Sequence, residues 1–138
     1  MKKIVFLSLM IVAFIGCSDD DVPTFSFETI AVSNIVGIPE VFVVGETVIL
    51  DLSYFRPSTC HSFEGFELEV VDENTRNIAI VNRLVEGRAP CTDLVEEELT
   101  ASLQFTPVQA GEVTLNFLNG TDTEGEPVFT TFNVPVTE

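Results

Sequence analysis

The chain has 138 residues, enough for one domain that buries its own hydrophobic core. It carries 22 acidic residues against six basic ones, for a formal net charge of −16, and both lysines lie at its start. This excess of negative charge repels a phosphate backbone, so nucleic acid is excluded as a partner. Twelve Phe, one Tyr and no Trp also disfavour a sugar-binding platform, which relies on Tyr and Trp.

Residues 1–16 have the organisation of a secretory signal peptide. Met1 to Lys3 form a basic head, residues 4–15 form an apolar run, and Gly16-Cys17 closes it. The run has twelve residues, whereas a helix needs about twenty to cross about 30 Å of hydrocarbon. We therefore expect a cleaved leader rather than a transmembrane anchor.

The end of this leader carries a possible lipid-attachment site. Phe14-Ile15-Gly16-Cys17 resembles the lipobox of bacterial lipoproteins, in which a small residue precedes an invariant Cys. The resemblance implies that diacylglycerol is attached to the thiol of Cys17, that residues 1–16 are removed, and that the new amino group is acylated, for example with palmitate. Three acyl chains anchor a protein firmly where one binds marginally. An ordinary leader with an incidental Cys17 is the alternative.

An acidic run follows Cys17 within the short tether 17–23. The residues Ser18, Asp19, Asp20 and Asp21 resemble the export signal after the lipidated Cys of surface-displayed lipoproteins in some Gram-negative bacteria. The resemblance implies a lipid anchor in the outer membrane and a domain that faces the cell exterior. Charge runs are usually solvated, so a plain acidic linker is the alternative.

From Thr24 onward, apolar and polar residues alternate with the period of two that is typical of half-buried strands. Seven or eight strands are predicted, and they lie in TFSFETIAV, VFVV, 47–55, 63–71, 76–85, 99–105, 113–117 and 128–136. The turns between them are predicted at 44–46, 72–75, 107–111 and 119–120. The expected fold of residues 24–138 is an all-β antiparallel sandwich. Within it, LQFTPVQAGEVTLNF resembles the late strands of an immunoglobulin-like domain, which implies an immunoglobulin-like β-sandwich without indicating one family.

Two cysteines, Cys60 and Cys91, remain for the folded part, and a secreted compartment favours a disulfide between them. Strands that alternate in direction place both in loops at one end. A metal site at these cysteines and His61 is disfavoured, because adjacent residues on an extended chain point apart and a fourth ligand is missing. The acidic loops also lack the spacing of a calcium loop. No cofactor and no catalytic residue are predicted, since the sequence offers His61 no recognisable orienting partner.

The loops 56–62, 86–98 and 119–126 are expected together at one pole, with Arg56, His61 and Arg88 as candidate contacts to a protein partner. The expected function is that of a binding or structural module, not an enzyme, that presents disulfide-pinned loops at the cell surface. A small secreted protease-inhibitor-like domain, a hydrolase with acidic catalysis and an accessory subunit in surface nutrient capture are the alternatives.

Overall fold

The computed structural model describes residues 23–87, 90–94 and 96–138. Nine β-strands occur in these ranges, and no helix there has the length and apolar character of a membrane span. The signal peptide, Cys17, the acidic run Ser18, Asp19, Asp20 and Asp21, and Arg88 all lie outside the described residues. The expectations that concern them therefore stay predictions.

Several strands show the alternating burial that the sequence predicts. In chain order the nine strands are β1 (Thr24–Ile30), β2 (Asn34–Val36), β3 (Phe42–Val43), β4 (Val48–Phe55), β5 (His61–Val70), β6 (Thr75–Glu86), β7 (Glu98–Phe105), β8 (Gly111–Thr121) and β9 (Pro127–Thr137). They form one sheet of six strands and one of three.

The larger sheet is organised around β6. On one side, β5 pairs antiparallel along nearly the whole of β6. The other side is shared: β1 pairs antiparallel with residues 80–86, and the first part of β8 pairs parallel with residues 75–78. β9 continues the sheet as an antiparallel neighbour of β8, and the two-residue β3 joins the edge of β9. The smaller sheet has the order β2-β4-β7 and is wholly antiparallel.

The core lies between the two sheets and is built from alternate residues of their facing strands. On β4, for example, Leu50, Leu52 and Tyr54 are buried, while Asp51 and Ser53 face outward. Fully burying one such large side chain contributes about 1.5–3 kcal/mol relative to leaving it exposed. The other buried members are Val32, Phe42, Ile78, Ile80, Ala101, Leu103, Val113, Leu115, Phe117, Val134 and Val136.

The prediction of an all-β fold in two sheets is confirmed, but the prediction of purely antiparallel pairing is wrong at two places. β6 and β8 run parallel, and so do β3 and β9. The first pair has a physical cause in the topology: the chain leaves β6, forms β7 in the other sheet, and returns to β8 in the original direction. Period-two patterning reports which face of a strand is buried and carries no information on strand direction.

Two local details also differ from the sequence prediction. β2 is not predicted, because three residues are too short for a period-two pattern. Asn119 and Gly120 are predicted as a turn, yet β8 continues through them as a bulge, with Gly120 at a φ of 128°. The turn comes later, where the Asp122 carboxylate accepts backbone N–H bonds from Glu124 (2.8 Å) and Glu126 (2.9 Å).

Candidate functional site

The predicted disulfide between Cys60 and Cys91 is confirmed, with a Cα–Cα distance of 5.4 Å. It joins the loop before β5 to the loop before β7. We call residues 56–61 together with 90–94 the disulfide pole. The carbonyl of Cys60 accepts the N–H of Val85 (3.2 Å), and this bond holds Cys60 beside the end of β6.

Backbone hydrogen bonds hold the two loops of the disulfide pole side by side. Thr59 N–H donates to the carbonyl of Thr92 (2.9 Å), and Leu94 N–H donates to that of Pro57 (2.9 Å). In return, Thr92 N–H donates to the Thr59 hydroxyl (3.0 Å). These loops therefore form an ordered surface rather than a solvated link, which the sequence does not reveal.

His61 is the centre of a buried polar network at this pole. Its Nδ1 lies 2.7 Å from the hydroxyl of Ser58, and its Nε2 lies 3.0 Å from a carboxylate oxygen of Glu28 on β1. The Ser58 oxygen also accepts the N–H of Cys60 (3.2 Å). Sequence reasoning missed Glu28, because it lies 33 residues from His61, and only the pairing of β1 and β5 with β6 brings them together.

The serine, histidine and carboxylate have the composition of a hydrolase triad, but their surroundings differ from one. A nucleophile must be reachable and must face donors for a developing oxyanion. Ser58 is 5% exposed and His61 is 7% exposed. Two pockets of the sandwich are described below, and neither is lined by Ser58, His61 or Glu28. What the network does in this conformation is fix the loop that carries Cys60.

Arg56 lies at the rim of the disulfide pole and is ion-paired. Its Nε donates to the carboxylate of Glu97 at 2.7 Å, and its backbone N–H donates to the Glu97 carbonyl. Next to this pair, burial raises the pKa of the Tyr54 phenol, while Arg56 lowers it and Glu97 raises it. Of the three candidate contacts, Arg56 is thus half-buried and paired, His61 is buried, and Arg88 lies outside the described residues.

Asn82 is a polar residue of the interior below this network. It lies on the core face of β6, opposite Glu28 on one side and Phe63 on the other, and it is 0% exposed. Neither atom of its side-chain amide has a hydrogen-bond partner in the described part of the chain. An unpaired buried amide costs about 1–3 kcal/mol, so Asn82 is a local weakness of the core beside the disulfide pole.

The chain enters the domain at the disulfide pole. Thr24, the first residue of β1, is paired with Glu86 at the end of β6. Next to it, Phe25 and Phe27 are exposed on the outer face of the larger sheet, and the guanidinium of Arg83 lies 5.1 Å from the centre of the Phe25 ring. The tether that precedes Thr24 therefore joins the domain at the end that carries the disulfide.

The base of the 119–126 segment lies at the outer face of the larger sheet. Thr121 and Pro127, at its base, line an outer-face pocket of about 200 Å³ together with Asn77 and Ala79 from the first half of β6. No group of three or more His, Cys, Asp or Glu side chains in the described ranges could hold a metal ion.

The opposite pole consists of tight turns. Asp72 Oδ1 accepts the N–H groups of Asn74 and Thr75, both at 2.8 Å, and these bonds, the first of them most, lower the pKa of its carboxyl. The 72–75 turn borders a pocket of about 260 Å³ that also touches Pro107 and Val108. The two predicted turns at 72–75 and 107–111 are therefore neighbours, far from the disulfide.

A scan of protein-family models and searches of curated proteins and of solved structures found no match to this chain. Its function is therefore argued from its own residues.

Proposed function

We propose that this protein is an outer-membrane lipoprotein whose domain, residues 24–138, is a binding module for a protein in the same membrane. Cys17 carries the lipid, and the run Ser18, Asp19, Asp20 and Asp21 directs the domain to the cell exterior. The lipobox-like and export-signal-like segments support the anchor. The Cys60–Cys91 disulfide is consistent with an oxidising envelope compartment.

The observation that carries the proposal is that the tether and the disulfide pole meet at one end of the sandwich. β1 starts beside Glu86, and the N–H of the preceding Val85 bonds to Cys60. Residues 18–23 span at most about 20 Å, even when fully extended. A lipid on Cys17 therefore keeps the disulfide pole near the membrane surface, where it can contact a membrane-embedded partner but not a distant one.

The chemistry of this end suits a protein partner. Exposed aromatic rings at Phe25 and Phe27 supply apolar contact area, and the Arg56–Glu97 pair supplies charge-assisted hydrogen bonds at the rim. The disulfide and the network around His61 hold the loops in one shape, which reduces the entropy lost on binding. His61 acts here as a positioning residue. We propose no catalytic role, because Ser58 and His61 are closed to a substrate.

We also propose that the sandwich is a variant of the immunoglobulin-like architecture. The β8–β9 hairpin, the β4–β7 pair in the facing sheet and the short β3 at the edge of β9 support that assignment. The parallel β6–β8 pair is a departure from the usual arrangement.

Site-specific photo-crosslinking in intact cells tests the proposal. A photoreactive residue at exposed Thr92 of the disulfide pole is expected to label an outer-membrane protein. The same residue at Val108, which is 82% exposed at the opposite pole, is the matched control and is expected to label it far less. Cys17→Ser is expected to abolish the Thr92 product. Labelling from Val108 instead of Thr92, or a Thr92 product unchanged by Cys17→Ser, would contradict the proposal.

A further inference from the structure

The strand β5 forms an open edge of the larger sheet. In the part of the chain that the structure describes, it pairs with β6 and with no other strand. The N–H of Val71, just after β5, points to the β6 side, where it donates to the Thr75 carbonyl (3.1 Å). Backbone groups alternate in direction along a strand, so the N–H and C=O groups of Phe66, Leu68 and Val70 point to the open edge.

One face of this edge strand is apolar and incompletely covered. Leu68 lies opposite the fully buried Ile78, yet Leu68 is 49% exposed, Val70 is 64% exposed and Phe63 is 44% exposed. The reason is the difference in width between the sheets. The facing sheet has only three strands, so β5 extends past its cover.

The other face of the same strand is acidic. Glu67 and Glu69 lie opposite Ala79 and Asn77 on the outer face of the sheet, and Glu64 at the bulge lies 3.7 Å from Arg83. β5 contains no Lys or Arg, and no lysine follows Lys3 anywhere in the sequence. A second copy of this chain that paired through β5 would bring acid against acid, which is destabilising for a directly opposed cross-strand pair.

We propose that the β5 edge binds an extended segment of a partner protein in which apolar residues alternate with Lys or Arg. The segment adds as a further strand, with its backbone bonded to the open groups of Phe66, Leu68 and Val70. Its apolar side chains cover Leu68 and Val70 on one face, and its basic side chains lie beside Glu67 and Glu69 on the other. The proposal does not depend on the lipid anchor or on the disulfide pole.

Synthetic peptides test this directly with the purified domain. The probe is a blocked peptide of alternating Val and Lys, matched in length to β5, and binding is followed by fluorescence anisotropy and by amide NMR shifts. We expect saturable binding with shifts along β5. The matched peptide of alternating Val and Glu should not bind. The Val-Lys peptide methylated on the backbone nitrogens that face β5 should bind about three- to tenfold more weakly, because it loses hydrogen bonds.

Variants of the domain separate the backbone, side-chain and charge contributions. Val70→Pro removes one open N–H and no bond to β6, a change that edge strands tolerate, and should weaken binding about three- to tenfold relative to Val70→Ala. Glu67→Lys with Glu69→Lys should reverse the preference between the Lys and Glu peptides, whereas Glu124→Lys in the 122–126 turn should leave it unchanged. Circular dichroism checks the fold of each variant.

Three outcomes would overturn the proposal. The first is no saturable binding of the Val-Lys peptide to the folded domain, in which case the acids merely protect the edge. The second is equal binding of the methylated and unmethylated peptides, since strand addition requires those hydrogen bonds. The third is a dimer of the protein that Val70→Pro dissociates, which would make a second copy the occupant.

Discussion

At the scale of single residues, Asn82 shows how the interior beside the disulfide pole differs from an ordinary core. Its buried amide has no partner among the described residues, although it lies between Glu28 and Phe63 on neighbouring strands. Buried polar groups are normally hydrogen-bonded, and the exceptions often occur near functional sites. The unpaired amide of Asn82 therefore lowers the stability of the fold, next to the residues that shape the proposed binding surface.

We expect Asn82→Leu to raise the free energy of unfolding by about 1–3 kcal/mol, because it removes an unpaired buried amide at nearly constant shape. Urea denaturation followed by circular dichroism measures the change. Asn116→Leu is the control: Asn116 donates to Asn77 and accepts from Thr131, so this change should not stabilise the protein. A stability loss for Asn82→Leu would show that its amide is paired in solution.

Tyr54 provides a pH-dependent test of the packing. Burial raises the pKa of its phenol, so the unfolded chain loses this proton before the folded protein does. The stabilisation is complete below the ordinary phenol pKa of about 10 and is lost as the pH rises through the higher folded value. Because the sequence has one Tyr and no Trp, phenolate absorbance reports Tyr54 alone.

We expect that absorbance to rise at a higher pH in the folded protein than in urea. Tyr54→Phe should have a smaller loss of stability between pH 9 and about pH 11 than the parent. A phenolate transition at the same pH in the folded and urea-unfolded protein would contradict the burial of this ring.

At the scale of elements, two different interactions fix the loop before β5. The disulfide connects Cys60 to Cys91, and the Glu28–His61–Ser58 network ties the first loop to β1. The crosslink acts mainly by restricting the unfolded chain, whereas the network acts in the folded state.

We expect Cys60→Ala with Cys91→Ala to lower the free energy of unfolding by roughly 3–4 kcal/mol, the chain-entropy value for a loop of about 31 residues. Ser58→Ala, which removes the bonds to His61 and to Cys60 N–H, should cost only about 1–3 kcal/mol. Denaturant unfolding of both variants measures the difference. A larger loss for Ser58→Ala than for the double variant would mean that the network, and not the crosslink, dominates the stability of these loops.

At the scale of the whole molecule, the position where the tether joins the domain decides what the disulfide pole can reach. Thr24 begins β1 at that pole, and the tight turns 72–75 and 107–111 lie at the other end. An anchored domain therefore holds its ordered loops toward the membrane and its turns outward. The open β5 edge runs between the two ends, so it stays accessible whether or not the domain is anchored.

We expect Cys17→Ser to move the protein from the outer-membrane fraction to the soluble fraction and to abolish its labelling by a fatty-acid analogue. The physical reason is the loss of the three acyl chains that supply the membrane affinity. Fractionation and acyl labelling of cells that express the parent and the variant measure both effects. Undiminished acyl label in the Cys17→Ser protein, still in the outer membrane, would rule out Cys17 as the attachment site.

The sequence by itself determined most of the strands and, on the strands at the centre of the sandwich, which face is buried. Leu50, Leu52 and Tyr54 are predicted on one face and are buried together, because alternation along a strand is a local property of the backbone. The pairing of Cys60 with Cys91 was also predictable, since the secreted compartment predicted from residues 1–16 and the alternation of strand direction both favour it.

Only the tertiary structure decided which distant residues meet. The contact of His61 with Glu28, the unpaired amide of Asn82 and the exposure of Leu68 all depend on strand order and on the unequal widths of the two sheets. The periodicity of apolar side chains does not depend on strand order or strand direction. The parallel β6–β8 pair and these contacts therefore could not be predicted from it.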